Sequence, residues 1–120
     1  MKVHQIINSF GTKKGGAENI ALQIHKHLTN NQINSSCFGV LKCDGEIIGC
    51  KSANLKNLYS IKAFLSIKKY FANNVKNDDI VHVHLFPSTF YCSMLKFFGF
   101  TKSVLVCTEH STYNRRRKSF

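Results

Sequence analysis

The chain has 120 residues, room for one domain, and 43% of them are hydrophobic, enough to close a single core. Seventeen Lys and Arg against six Asp and Glu give a formal net charge of +11, which points to an anionic partner: nucleic acid, an anionic membrane surface or a phosphorylated small molecule. No apolar run approaches the roughly 20 residues that cross a membrane, the N-terminus turns polar too soon for a secretory leader, and five cysteines without a CxxC pair form neither a disulfide framework nor a zinc-finger pattern.

In chain order, Val3 to Ile7 predict a short buried strand. Ala17, Ile20, Ala21, Ile24 and Leu28 recur at helical spacing after it. Between the two lies "NSFGTKKGGAEN", a strand-to-helix loop with three glycines and two lysines. Polar "TNNQINSS" predicts a loop, "CFGVLK" a second strand, and "CDGEIIGC" a turn with a short extra strand around Ile47. Leu58, Ile61, Leu65, Phe71 and Val75 predict a helix within 55–75, with a basic flank. "IVHVHLF" predicts a third main strand, "STFYCSMLKFFGF" a helix closed by Gly99, and "SVLVC" a fourth main strand. Alternating strand and helix predict an α/β domain, a Rossmann-like parallel sheet with helices on both faces. Ligands of such sheets sit beyond the carboxyl ends of the strands. Three segments fall there: the glycine loop, "HLFPS" and "TEHST".

The glycine loop is neither GxGxxG nor a Walker A loop. Gly15 and Gly16 nevertheless leave amides bare at a helix N-terminus, which suits an anion; a plain tight turn is the competing reading. His82 and His84 alternate along one strand and so share a face. No further ligand at nearby spacing completes a metal set, so His82 is expected as a hydrogen-bonded core histidine and His84 as a residue at the cleft edge. Glu109 and His110 follow the last strand, where a histidine is expected to project towards the crevice; a plain loop pair is the competing reading. Lys62, Lys69 and Lys76 are seven apart and form a stripe, either a solvated helix face or a surface for anionic lipid. Reduced, packed thiols in a cytoplasmic protein are the expected state of the cysteines.

Taken together, "KVHQIINSFGTKKGGAENIALQIHKHL", "DDIVHVHLFPS" and "VLVCTEHSTYNRRR" resemble the start of a retaining GT-B glycosyltransferase of the large bacterial group 1 class (family four). The resemblance implies an incomplete N-terminal, acceptor-side domain of a GT-B fold over residues 1–120, without the C-terminal donor domain and its E-x7-E element. It implies transfer of a sugar from a nucleotide-sugar donor to a glycan or lipid-linked acceptor, in surface polysaccharide synthesis, with this chain alone inactive. By the same resemblance Gly15 and Gly16 approach the donor diphosphate, His110 lies near the donor sugar, and His84 and Glu109 line the acceptor side. Neither a cofactor nor a metal is expected. The expected setting is cytoplasmic, at the inner face of the membrane, with no nucleic-acid partner. The other reading of the same residues is a stand-alone basic α/β module that binds a nucleotide or nucleic acid.

Overall fold

The computed structural model describes residues 1–9, 16–41 and 49–108, and of residues 16–18 the backbone alone. Along the described chain run β1 (Val3–Ile7), α1 (Gly16–Asn30), β2 (Ser35–Leu41), β3 (Cys50–Leu55), α2 (Ile61–Asn74), β4 (Ile80–His84), α3 (Ser88–Phe97) and β5 (Val104–Thr108). The strands form one sheet in the order β3-β2-β1-β4-β5, and every pairing is parallel. This is the expected Rossmann-like α/β architecture with one strand more than the four main ones. The added strand, β3, begins at Cys50; Ile47, where an extra strand was expected, lies outside the described residues. β3 sits at a sheet edge and is only half-buried, so it carries polar "CKSANL" rather than an apolar run.

Side chains alternate between the two faces of the sheet. On one face Ile6, Phe38, Val40, Val81 and Val83 pack with Ala63, Ile67, Tyr70 and Phe71 of α2 and with Cys92 and Leu95 of α3. On the other, Ile7 and Cys37 pack with Ala21 of α1, flanked by Leu22, Cys50 and Leu85. Val104 and Val106 of β5 remain 56% and 43% exposed.

The phase of α2 departs from the expected one. Ser60 caps the helix, its hydroxyl accepting from the Ala63 amide at 3.2 Å, so the first helical residue is Ile61. From that start the inward positions are 63, 67, 70 and 71, which leaves Ile61 78% and Leu65 50% exposed. Leu58 precedes the helix and Val75 caps its end. The lysine stripe is corrected with it: Lys62 and Lys69 are exposed on α2, but Lys76 lies beyond the helix. Gly99 does close α3. Its φ of +81° is left-handed, and the amides of Gly99 and Phe100 donate back to Lys96 and Leu95, satisfying the last carbonyls. No described helix is long and apolar enough to cross a membrane.

Candidate functional site

The strand order reverses between β1 and β4, and that switch point opens the crevice at the carboxyl edge of the sheet. α1 starts there with Gly16, which puts the amino end of the helix, with its positive dipole, at this edge. Asn8, just past β1, ties the edge together. Its carbonyl accepts from the Leu41 amide (2.8 Å), its Nδ2 donates to the Phe86 carbonyl (3.2 Å), and its Oδ1 accepts from the Ser88 hydroxyl (2.6 Å). Three strand ends are thereby held in register by one side chain and its backbone. Leu85, the residue after β4, has a φ of +67°, costly for a residue with a Cβ, while its amide donates to the Thr108 carbonyl of β5 at 3.0 Å. Beyond it Phe86 stands half-exposed between Tyr59 and Phe90, with ring centroids 6.3 and 6.1 Å away, an aromatic rim at this end of the sheet.

The two β4 histidines exchange their expected places. His84 is fully buried, its Nε2–H donating to the Gln5 Oε1 at 2.7 Å. His82 is the half-exposed one, and its Nε2 is 2.8 Å from the Thr108 hydroxyl. The rings lie 4.0 Å apart on one face, as alternation requires. The physical reason for the exchange is position: His84 lies against the fully buried Gln5 of central β1, whereas His82 lies beside exposed Val106 of edge strand β5 in register. Gln5 is fully buried too, and its Nε2 has no partner among the described residues. Of the other expected site residues, Gly16 is the first residue of α1, while Gly15, Glu109 and His110 lie outside the described residues.

Two side-chain clusters were not legible in the spacing. At the amino end of the sheet His4 and Asp79 are buried, with His4 Nε2–H donating to Asp79 Oδ2 at 2.9 Å. His4 Nδ1 accepts a hydroxyl proton from Tyr70 (2.8 Å) or Ser36 (2.9 Å), and those two hydroxyls are 2.8 Å apart. Asp79 also accepts from the backbone amides of Lys2 and Lys76, both at 2.9 Å. Burial opposes its ionisation, but these hydrogen bonds outweigh it and hold the carboxyl below its ordinary range. Burial holds the His4 imidazole below its ordinary value despite Asp79, and pushes the Tyr70 phenol up to about 12. The ring is therefore neutral, and the quartet joins β1, β2, α2 and the start of β4. It lies at the opposite end of the sheet from the crevice. The only hint in the sequence was a histidine inside a buried strand and an aspartate directly before another.

The second cluster is His25, Cys37 and Cys50, whose ligand atoms all lie within 4.8 Å of one another. Cys37 and Cys50 are register partners on β2 and β3, and neither forms a disulfide. The Cys37 hydrogen bond draws the Cys50 thiol below its ordinary value, against the opposing effect of burial. A search for CxxC misses the pair because strand pairing, not sequence spacing, brings the sulfurs together.

No family model, curated protein or solved structure matches the chain.

Proposed function

We propose that the chain is the N-terminal, acceptor-side part of a retaining GT-B glycosyltransferase. The observation that carries this reading is the start of α1 at the switch point between β1 and β4, directly after a glycine-rich connection. A leaving diphosphate must be stabilised as positive charge develops on the sugar, and bare amides at a helix N-terminus supply that without a metal. In this reading Gly15 and Gly16 approach the diphosphate, and His110 orients a hydroxyl of the donor sugar. Glu109 serves the acceptor side, and buried His84 supports the crevice wall through Gln5 rather than touching substrate. The exposed rings of Tyr59, Phe86 and Phe90 offer apolar faces to a sugar or lipid-linked acceptor. The +11 charge favours the anionic inner face of the cytoplasmic membrane, each basic residue near that surface contributing about 1 kcal/mol.

The test is the coding sequence beyond Phe120 and the protein it specifies. A continuation containing E-x7-E, and sugar transfer from a nucleotide-sugar panel that falls sharply in His110→Ala, are the expected results. The 120-residue chain alone should not turn over, because one cleft wall cannot orient two substrates. The same charge also suits a nucleic-acid-binding module. Binding to DNA or RNA at physiological salt, with no vesicle binding at any anionic lipid content and no transfer, would replace the enzyme reading with that one.

A further inference from the structure

Outside the crevice, one group of side chains has the composition and closeness of a metal-binding set. His25 lies in the second half of α1, Cys37 in the early part of β2, and Cys50 opens β3. Each comes from a different element, and their ligand atoms fall within 4.8 Å of one another. A tetrahedral zinc site with Zn–S distances of about 2.3 Å needs sulfurs roughly 3.8 Å apart, so the group needs only a small contraction to close on an ion.

Two further observations point the same way. His25 Nδ1 is 2.7 Å from the Ser35 hydroxyl, and a histidine that ligates through one ring nitrogen commonly donates the other ring N–H to a fixed acceptor. The opposite edge of the ring, Cε1 and Nε2, stands against Gly49, where an added Cβ would lie 3.1 Å from both atoms. Gly49 has a φ of +82°, and it directly precedes Cys50. Its carbonyl also accepts from the Cys37 amide at 2.9 Å. One turn thus brings the imidazole edge to the cysteine pair, and that turn requires glycine for both its backbone angle and its space.

We propose that His25, Cys37 and Cys50 bind a zinc ion, His25 through Nε2 and the cysteines as thiolates. Water or an added ligand completes the tetrahedron. Thiolate and imidazole donors suit zinc over magnesium or calcium, which take oxygen ligands. The site faces α1 in the half of the sheet away from the carboxyl-edge crevice, so it stands apart from any chemistry there. It pins α1 to the β2–β3 edge, where β3 is otherwise only half-buried. Binding displaces a proton from each ligating thiol and leaves the imidazole neutral. The inference does not depend on the proposed glycosyl transfer.

The experiment uses the full 120-residue chain, reduced, with Cys107→Ser so that this exposed thiol does not contribute. Co2+ is titrated in and followed by absorption. Expected are a thiolate-to-cobalt charge-transfer band, intense visible bands of tetrahedral cobalt, saturation at one equivalent, and displacement of all bands by Zn2+. Cys50→Ser should remove most of the charge-transfer intensity. Ser35→Ala, which keeps every ligand, should weaken Co2+ binding on the order of 10-fold or more. Saturating Zn2+ should raise the unfolding temperature of the parent by several degrees and leave Cys50→Ser unmoved. A folded, reduced parent with no charge-transfer band would overturn the proposal. So would a band undiminished in Cys50→Ser, or a Cys37–Cys50 disulfide forming in air from a protein that shows no cobalt band when reduced.

Discussion

Replacing Asp79 tests how much of the fold hangs on the amino-end quartet. Its carboxylate is 3% exposed and accepts three hydrogen bonds, from the Lys2 and Lys76 amides and from His4 Nε2. In Asp79→Asn one oxygen can still accept, most simply from Lys2. The new amide nitrogen then faces two donors. His4 can move its proton to Nδ1 and accept, but the Lys76 amide cannot, and a buried donor is left unmet. A charge-assisted hydrogen bond contributes about 1.5–3 kcal/mol, and an unmet buried group costs about 1–3 kcal/mol. We therefore expect Asp79→Asn to lose about 3 kcal/mol, and Asp79→Ala about 3–5 kcal/mol. A domain of this size has about 5–15 kcal/mol in all. The melting temperature should fall by about 10 °C or more. Urea unfolding followed by circular dichroism, with the slope checked for constancy, measures the loss. Asp78→Asn is the control: its carboxylate is 72% exposed and only 3.8 Å from the N-terminal amine, so its effect should stay within about 0.5 kcal/mol. A loss under about 1 kcal/mol in Asp79→Asn would refute the reasoning, since the three bonds would then be replaceable by water.

The same quartet sets a pH dependence. His4 sits below its ordinary value in the folded protein, so on acidification the unfolded chain takes up a proton first; stability should begin to fall below about pH 6.5, and this first step should vanish in His4→Gln. Asp79 is also depressed, so its contribution is complete above about pH 4 and disappears as the pH falls through its folded value, a second acid step missing from Asp79→Asn. Ile67→Ala, fully buried between α2 and the sheet, should cost about 2–5 kcal/mol in urea unfolding, while Leu65→Ala on the exposed side of the same helix should cost far less. Ser60→Ala should cost about 1 kcal/mol through loss of the α2 cap, with Ser60→Asp recovering most of it. Gly49→Ala should destabilise by more than about 1 kcal/mol, because its φ is left-handed and its Cβ would press on the His25 ring; Gly99→Ala, with the same sign of φ but open space, should cost less.

The strand–helix alternation was legible in the residues themselves because apolar runs and helical periodicity are local. β1, β4, α3 with its Gly99 closure, and β5 could all be read that way, as could the parallel α/β class that follows from their order. The same order put the start of α1 at the carboxyl edge of β1. An extra strand was expected around Ile47, but the residues of β3 themselves gave no sign of it, because an edge strand needs no apolar signature and its partner supplies the hydrogen bonds that make "CKSANL" a strand at all. The inward face of α2 was misread because the apolar residues there fit more than one phase; the Ser60 cap and the sheet beneath chose the one that buries Ala63 and Ile67 and exposes Ile61. The His84 and His82 environments likewise came from what packs over each end of β4, which alternation alone does not contain. Tertiary structure alone decided the polar clusters. His4 meets Asp79 across 75 residues, and Cys37 meets Cys50 through strand register and His25 through the packing of α1. Sequence sets which side chains share a face of their own strand or helix, but distances between elements are set by sheet order and helix packing, and the chemistry of a cluster depends on those distances.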